Sequence, residues 1–434
     1  MSQTSVLNHS TSHLPKLLQL EQGMAPAAPS SVAATGVARH VLLDLALKIA
    51  HILPQFTTED LAKRMHLPQI VVAELLDQLQ KEQLVEVLGH SDNKGYRYLL
   101  AARGKERALR ALEVSGYAGP APVSLEAYTA MFEWLDTHPE TVTPPQVQQA
   151  LSHLVLPQET LEIAGMAASS SRSLFLFGPP GNGKTSVGRA LHNARSGPIW
   201  IPYAISVDQH IIHLFDNHCH EPAPLPEDKA LSVDQRWVRI KRPFVVAGGE
   251  MTLESLDMAY LPSLRYYEAP LHMKANGGTF LIDDFGRQHV EPTALLNRWI
   301  IPLEHRIDYL TLYGGQKIQV PFLLMLIIAT NLRPEDVTDP AFLRRIGYRL
   351  GVEGPTPEAY GEIFRAYARK YEAELAPGLV EYVLHRYRES GKELRACEPR
   401  DLIERVRDIC HYRNEPLKVT EDLLDLAWLA YFGK

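Results

Sequence analysis

The stretch LFLFGPPGNGKTSVGRA, residues 174–190, decides the fold. Four apolar residues typical of a buried strand lead into a glycine-rich loop, and a helical pattern follows the loop directly. The loop fits the pattern G-x-x-x-x-G-K-[ST]. Its glycines let backbone N–H groups turn toward phosphate oxygens, and the N-terminus of the next helix favours negative charge. The stretch therefore predicts a strand, a loop and a helix that hold a nucleoside triphosphate.

All residues of the predicted loop are expected to line the nucleotide. They are Gly178, Pro179, Pro180, Gly181, Asn182, Gly183, Lys184, Thr185 and Ser186. The lysine is expected to reach the β- and γ-phosphates, and the threonine to ligate Mg²⁺. In a chain of this glycine content the pattern arises by chance only about once in a hundred. Because no guanine-reading N-K-x-D motif is visible, the expected nucleotide is ATP.

Two further apolar runs end in polar side chains. The run GGTFLIDDFGR places Asp283 and Asp284 after a predicted buried strand. The first carboxylate is expected to hold the magnesium shell and the second to polarise the attacking water. An isolated acid pair after a strand is otherwise a turn or a helix cap. The run PFLLMLIIATN ends in Asn331, an amide suited to orienting that water, and the preceding DYLTLYGGQKIQVPF predicts a β-hairpin.

The bulk composition is typical of a globular protein. Of 434 residues, 45% are hydrophobic and 22% charged, and the net charge of −7 argues against polyanion binding over the whole surface. Three cysteines are too few for a disulfide framework and indicate a reducing compartment. No apolar run is long enough to span a bilayer, and the N-terminus lacks the features of a signal peptide. We therefore expect a cytoplasmic protein without membrane segments.

The first third of the chain predicts a separate module. Residues 1–36 are rich in Ser, Thr, Ala and Pro and predict a disordered tail. Residues 37–115 predict three helices and a hairpin, the elements of a winged helix-turn-helix. Few cations lie on its candidate recognition helix, which favours protein docking, whereas Lys94 and Arg97 in the wing keep DNA binding open. Residues 116–144 predict a linker around one short helix.

In residues 145–434, the order of these motifs resembles that of the AAA+ ATPases. The resemblance implies an α/β P-loop domain with a doubly wound parallel sheet over 145–352 and a helical lid over 353–434. It also implies a hexameric ring with ATP and Mg²⁺ at the subunit interfaces. The loop is similar to Walker A and the two acids to Walker B. The implied roles are Mg²⁺ ligation for Thr185 and Asp283, catalysis for Asp284, water sensing for Asn331, arginine fingers for Arg344 and Arg345 in FLRRIGYRL, and lid sensing for Arg400 in ACEPRDLIERV.

Within that family the chain is most similar to the MoxR-like group, which carries an insert in its second helix. The insert is expected at about residues 203–275, and the group implies remodelling of a protein partner. Two features leave alternatives open. Asp284 replaces the usual glutamate, so a slowly hydrolysing, nucleotide-bound scaffold stays possible beside an ATPase. The cluster His210, His213, His218, Cys219 and His220 is either a metal site or a set of polar loop residues.

Overall fold

The structure is a computed structural model that describes residues 13–20, 23–91, 95–139, 142–195, 197–225, 232–337 and 340–433. The first twelve residues of the predicted tail and Lys94 of the predicted wing lie outside the described residues. No helix among the described residues is long and apolar enough to cross a membrane.

Helices and strands follow in chain order. The helices are α1 (Arg39–His51), α2 (Thr58–Met65), α3 (Gln69–Lys81), α4 (Ala102–Val114), α5 (Leu125–Thr137), α6 (Pro144–Leu151), α7 (Gln158–Ser170), α8 (Lys184–Ala194), α9 (Leu271–Lys274), α10 (Pro292–His305), α11 (Pro334–Val337), α12 (Pro340–Leu343), α13 (Pro357–Lys370), α14 (Leu379–Ser390), α15 (Glu398–Arg413) and α16 (Glu421–Phe432). The strands are β1 (Leu17–Leu20), β2 (Gly23–Pro26), β3 (Phe56–Thr57), β4 (Val85–Ser91), β5 (Gly95–Leu100), β6 (Val123–Ser124), β7 (Leu174–Phe177), β8 (Ile199–Pro202), β9 (Ala204–Val207), β10 (His210–His213), β11 (Trp237–Ile240), β12 (Phe244–Ala247), β13 (Ala259–Leu261), β14 (Tyr266–Glu268), β15 (Thr279–Ile282), β16 (Ile307–Thr311), β17 (Lys317–Pro321), β18 (Met325–Thr330), β19 (Tyr348–Gly351), β20 (Glu374–Leu375) and β21 (Lys418–Val419).

A five-stranded parallel sheet positions the predicted site. Its spatial order is β12-β15-β18-β7-β19, and every neighbouring pair is parallel. Alternate residues of β7 enter different cores, since Leu174 packs with α6, α7 and α8 on one face and Phe175 packs with α10 on the other. This is the doubly wound α/β sheet that the sequence predicted. Because the strands are parallel, the loops after β7, β15 and β18 meet at one edge.

The C-terminal helices form a separate bundle, here called the lid. Helices α13 to α16 surround a core that includes Tyr360, Tyr387 and Trp428, and β20 pairs with β21 at its side. The bundle starts at Pro357, a residue suited to a first helical turn. It follows β19 closely in sequence, so a short segment connects the lid to the edge strand of the parallel sheet.

The predicted disordered tail is wrong for the described part of residues 13–36. Strands β1 and β2 form an antiparallel hairpin, and Ala25 and Val32 are buried. The backbone of this segment is hydrogen-bonded to residues two hundred positions away, since Asp234 N donates to Pro26 O at 2.9 Å and Ala28 N donates to Ser232 O at 3.0 Å. The small alanine and proline side chains of this segment permit the close approach of the two backbones. The scarcity of large apolar residues in the segment therefore does not indicate disorder.

The predicted linker over 116–144 is also wrong. Strand β6 pairs in parallel with β9, and Tyr128 and Phe132 of α5 are almost fully buried. Gly116 lies so close to another segment that a Cβ there would be 2.5 Å from Leu264 O. The glycines and prolines of this region therefore serve close packing and turns inside a folded body.

The insert differs from its prediction in extent and in form. It leaves the parallel sheet twice, because β12 at residues 244–247 is the sheet's edge strand and divides the region 203–275. The two excursions supply β9, β10, β13 and β14 of a second sheet, of order β13-β14-β10-β9-β6, and β11 of the pair β11-β8. Residues 244–247 of the predicted insert thus belong to the parallel sheet itself.

The N-terminal helices α1, α2 and α3 pack on the sheet β3-β5-β4, with β4 and β5 as an antiparallel hairpin. Thr57 and Asp60 cap α2 reciprocally, and His66 ends it with a positive φ of 55°. This module contacts the insert directly, because Ala204 and Ile211 belong to its hydrophobic core. Buried Arg236, paired with Asp234 at 2.7 Å, donates to the carbonyls of Thr35 and Pro122 and so joins the same bodies.

Candidate nucleotide site

The loop between β7 and α8 has the backbone shape that phosphate binding requires. Gly178, Gly181 and Gly183 have φ angles of 136°, 81° and 87°, a region that residues with a Cβ rarely adopt. At Gly178 a Cβ would also lie 2.4 Å from Val352 O, so the loop passes directly over β19. Gly183 precedes the first residue of α8, whose unpaired N–H groups open toward the loop. The sequence pattern therefore produces a cradle for an anion.

Lys184 is held across the cradle by three oxygen atoms. Its Nζ donates to Gly178 O at 2.9 Å, to Pro179 O at 3.0 Å and to Asn331 Oδ1 at 2.8 Å. Burial lowers the pKa of this ammonium group, and the nearby Asp284 and Asp283 carboxylates oppose that effect. The lysine is thus a largely buried cation that the loop surrounds. Phosphate oxygens can accept the same hydrogen bonds from its Nζ and form stronger ones, because they carry negative charge.

Thr185 and Asp283 lie together as the Mg²⁺ prediction requires. Thr185 Oγ1 donates to Asp283 Oδ1 at 3.0 Å and to Oδ2 at 2.9 Å. The hydroxyl comes from the first turn of α8, and the carboxylate comes from the end of β15, two strands away. A hydroxyl and a carboxylate beside a phosphate cradle are the hard oxygen donors that Mg²⁺ takes together with nucleotide phosphates. The residues present therefore fit the ion.

Asp284 differs from Asp283 in its exposure. Its side chain is 53% exposed, and its φ of 48° turns it away from the strand direction. Asn331 Nδ2 lies 3.5 Å from Asp284 Oδ1, while Asn331 Oδ1 accepts from Lys184. Asn331 thus bridges the loop lysine and the second acid. Apart from the arginines, the structure brings together five predicted site residues from three separate segments: Lys184, Thr185, Asp283, Asp284 and Asn331.

The lid contacts the loop through residues that precede α15. Cys397 N donates to Gly181 O at 2.9 Å, and Ala396 N donates to Asn182 Oδ1 at 3.1 Å. The side chain of Arg395 packs over Gly181, with its Cβ and Cδ each 3.8 Å from where a Gly181 Cβ would stand. Among the described residues its guanidinium has no hydrogen bond or ion pair. Arg395 is therefore the lid arginine at the loop.

Arg400, the residue predicted for lid sensing, is engaged elsewhere. Its Nε and Nη2 donate to Asp401 Oδ1 at 2.9 and 2.8 Å, and its side chain is 46% exposed. The prediction took the arginine inside the helix, whereas the residue at the loop precedes the helix by three positions. One local cue was available in the sequence. Arg395 begins the segment RACE just before the helix, where the backbone is not yet helical and can approach another loop.

Arg344 and Arg345 lie at the opposite edge of the parallel sheet from the loop of their own chain. Both precede β19, which runs parallel to β7, and Ser173 Oγ at the start of β7 lies 3.4 Å from Arg345 O. Arg345 is paired with Glu304 at 2.8 Å, and this pairing lowers the pKa of the Glu304 carboxyl. Arg344 is exposed and has no ion pair or hydrogen bond within the described residues. The two arginines therefore lie at the end of the sheet away from the candidate nucleotide site of their own chain.

The histidine and cysteine cluster is occupied by internal hydrogen bonds. His220 Nδ1 accepts from Asp216 N at 2.9 Å, its Nε2 lies 2.8 Å from Lys274 O, and His213 Nδ1 lies 3.1 Å from Glu268. Within the described residues no group of three or more His, Cys, Asp or Glu side chains is arranged to hold a metal ion. The contacts of His213 and His220 tie β10 and the segment after it to Glu268 and Lys274 within the insert.

The chain therefore contains a doubly wound parallel α/β sheet with a glycine loop of P-loop form between β7 and α8, and a helical lid, which is the fold implied by the AAA+ resemblance. A family model described as "Domain of unknown function (DUF8689)" matches residues 356–430, which is the lid. A search of the curated proteins found no match.

Several solved structures are similar to the chain. RuvB from Thermotoga maritima, described as a Holliday junction branch migration motor, is 14% identical with a TM-score of 0.38, over 68% of this chain and 73% of that chain. NtrX from Brucella abortus is 16% identical with a TM-score of 0.40, over 69% of this chain and 59% of that chain. The same protein in complex with ATP is 14% identical, also with a TM-score of 0.40, over 74% and 63%. Similarity of this size adds nothing to what the chain's own geometry supports.

Proposed function

We propose that this chain binds ATP with Mg²⁺ and hydrolyses it to remodel or assemble a protein partner. One observation carries the proposal: Lys184, Asn331, Thr185 and Asp283 converge on the glycine cradle through direct hydrogen bonds. A structural turn between a strand and a helix has no need of a desolvated lysine at its centre. The same convergence supplies each group that phosphoryl transfer uses for positioning and charge stabilisation.

In the proposed reaction, Asp284 polarises a water molecule that attacks the γ-phosphorus. The water oxygen forms the new bond, the bond to the β–γ bridging oxygen breaks, and ADP leaves with its electron pair while the water proton passes to the acid or to phosphate. Asn331 orients the water from the neighbouring strand end. Mg²⁺ held by Thr185 and Asp283 supplies charge neutralisation on the phosphates when bound. Arg395 of the lid contacts the nucleotide from the same chain.

The arrangement of arginines supports a ring in which ATP lies between subunits. Arg344 is exposed at the edge of the sheet that faces away from its own loop, so a neighbouring copy's nucleotide is the partner it can serve. A guanidinium supplied in this way typically accelerates phosphoryl transfer by about 10³–10⁵. A hexamer of the MoxR-like kind is the proposed assembly. The three free cysteines fit a cytoplasmic location.

We propose that the N-terminal winged-helix module selects a protein partner. Its candidate recognition helix α3 exposes Ile70 by 67%, and its Lys81 is neutralised by Asp77. Glu74 on the same helix accepts from Val32 N and pairs with Arg39, so it anchors the preceding segment. The wing exposes Leu88 and Tyr96 by 44% and 54%. Exposed apolar groups among paired charges suit a protein surface better than a phosphate backbone.

The partner is tested with a trapped form of the protein. Asp284→Asn keeps the side-chain shape and removes the charge that polarises water, so a pull-down with ATP should retain a protein that ADP releases. Lys184→Ala serves as the matched control, since it should bind nucleotide much more weakly. Capture that is identical with ATP, with ADP and with the control contradicts the remodelling proposal.

Two alternatives have their own tests. DNA binding through Arg97 of the wing predicts a salt-dependent gel shift that Arg97→Ala weakens. A nucleotide-bound scaffold predicts steady-state phosphate release no faster than that of Lys184→Ala. The proposed ATPase predicts no gel shift and a clear difference in phosphate release.

A further inference from the structure

A cleft of 840 Å³ opens at the end of the parallel sheet where β7 and β19 begin, which is the end away from the phosphate loop. It is lined by the start of β7, the end of α10 and the segment before β19, and it contains Arg172, Arg306, Arg344, Arg345 and Glu304. Four guanidinium groups face Glu304 in the cleft and Asp136 beside it, which leaves this surface with a net positive charge. Like charges held in one cleft repel one another, and a bound anion would relieve that repulsion.

The four arginines fall into two pairs. Arg345 is fastened to Glu304 at 2.8 Å, and Arg306 is fastened to Asp136 at 2.7 Å. Arg172 and Arg344 are exposed, and within the described residues neither has a hydrogen bond or ion pair. Two unpaired guanidinium groups therefore line the same cleft, although only one of them belongs to the segment resembling an arginine finger.

A glycine makes room for the second of them. Gly347 stands where a Cβ would lie 2.6 Å from Arg172 Cβ and 3.2 Å from Arg172 Cδ and Ser173 O. A side chain at position 347 would push the arginine away from the segment that carries Arg344. Because Gly347 has no side chain, Arg172 can lie along the segment before β19, next to the predicted fingers.

Arg172 cannot act on the nucleotide of its own subunit. It precedes β7, and the phosphate loop follows that strand, so the two are separated by six residues of extended chain, or about 20 Å. An arginine side chain is much shorter than this. A nucleotide phosphate that meets Arg172 must therefore be bound by another molecule.

We propose that Arg172 is a second cation that each subunit presents, beside Arg344, to the triphosphate held by the adjacent copy of this chain. The inference rests on the proposed function. Arg172 stabilises negative charge on the γ-phosphoryl oxygens and supplies no atom, proton or electron to the reaction. Arg345, the other predicted finger, is paired with Glu304 and is not one of these two cations.

The first test compares single-site variants of the full chain. Arg172→Ala should lower kcat for ATP by about 10²-fold while a fluorescent ATP analogue still binds to the variant's own loop. Arg172→Lys should recover part of kcat, since a point charge keeps attraction without the guanidinium geometry. Arg349→Ala is the matched control, because Arg349 lies on the same edge and donates to Leu343 O at 2.9 Å without lining the cleft. It should keep wild-type kcat.

The second test asks whether Arg172 acts across the seam. Arg172→Ala subunits keep an intact loop, and Lys184→Ala subunits keep an intact Arg172. A 1:1 mixture of these two variants should therefore hydrolyse ATP, with about a quarter of the seams complete under random assembly. Recovered turnover supports the inference, and a mixture as inactive as its components overturns it, because that result places the effect within one subunit.

The outcomes separate the inference from the function on which it rests. If the wild-type chain does not hydrolyse ATP, the proposed function fails. If the wild type hydrolyses ATP and Arg344→Ala is inactive, but Arg172→Ala keeps full kcat, only the inference is overturned. Loss of kcat in Arg349→Ala to the same extent as in Arg172→Ala also overturns it, since the effect would then follow the charge of the whole edge.

Discussion

Lys184 and Asn331 are joined by a direct hydrogen bond of 2.8 Å, although they are 147 positions apart in the sequence. The bond links the phosphate loop after β7 to the end of the neighbouring strand β18. The nitrogen of the same amide lies 3.5 Å from Asp284 Oδ1. In the proposed function, phosphate oxygens replace Asn331 as partners of the lysine, so this pair of residues would connect nucleotide loading to the position of the second acid.

Replacing Lys184 by alanine should weaken ATP binding by about 10²-fold, because two charge-assisted hydrogen bonds to phosphate are lost. Isothermal titration with ATP and Mg²⁺ measures the change. Lys241→Ala is a suitable control, since Lys241 is an exposed cation paired with Glu221 far from the loop. Unchanged affinity in Lys184→Ala would contradict the assignment of the loop.

Asp284→Asn should separate binding from chemistry. The amide preserves shape but cannot accept the water proton, so we expect kcat to fall by about 10²–10⁴-fold with ATP affinity nearly unchanged. Single-turnover phosphate release measures this step. Asp336→Asn, an exposed acid on α11, should leave the rate as it is. Wild-type kcat in Asp284→Asn would show that another group polarises the water.

The two lid arginines should behave differently. Arg395→Ala removes the side chain that packs over Gly181, and we expect the KM for ATP to rise about tenfold, the loss of one charged hydrogen bond. Arg400→Ala removes an exposed pair with Asp401, so its effect on KM should be small. Steady-state kinetics on both variants decide between them. The reverse order of effects would restore the original prediction for Arg400.

Lys48 gives the N-terminal module a specific dependence on pH. Burial lowers its pKa from 10.5 to about 8, and Asp44 opposes this effect only in part. Between those two values the unfolded chain binds a proton that the folded chain does not, so stability should rise with pH from about 8 to 10.5. Below pH 8 the folded state bears the full cost of the buried charge.

Lys48→Met should therefore raise the free energy of unfolding at pH 7 by about 2 kcal/mol, less than the whole cost because the bond from Lys48 Nζ to Ser115 O is lost. The variant should also lose the rise above pH 8. Denaturant unfolding at several pH values measures both effects. A variant that is less stable than wild type at pH 7, with the pH dependence intact, would show that the ammonium group is stabilising.

Local patterns predicted the parts of the fold that depend on local physics. The strand before the loop, the glycines with positive φ and the acids after β15 all follow from residue type and spacing. The hairpin β16–β17 formed where DYLTLYGGQKIQVPF indicated it, with Gly315 at a φ of 81°. Each of these features needs particular residue types at a few consecutive positions, so it can be recognised from a short stretch of sequence.

Long-range packing could not be predicted in this way. The low apolar content of residues 13–36 concealed a hairpin that is held by backbone bonds to residues 232 and 234. Strand β12 falls within the predicted insert of residues 203–275, because its pairing with β15 depends on packing that the local sequence does not show. Arg395 was missed for a similar reason, since its position over Gly181 depends on how the lid is docked and leaves no periodic signal in the sequence.

The dependence of ATP turnover on protein concentration tests the central claim most directly. If the triphosphate lies at a seam and needs Arg344 of the adjacent copy, phosphate release per subunit should be negligible in dilute protein and rise as subunits assemble. Arg344→Ala should remain low throughout while still binding ATP. Turnover per subunit that is constant across the concentration range, and unchanged in Arg344→Ala, would contradict the account.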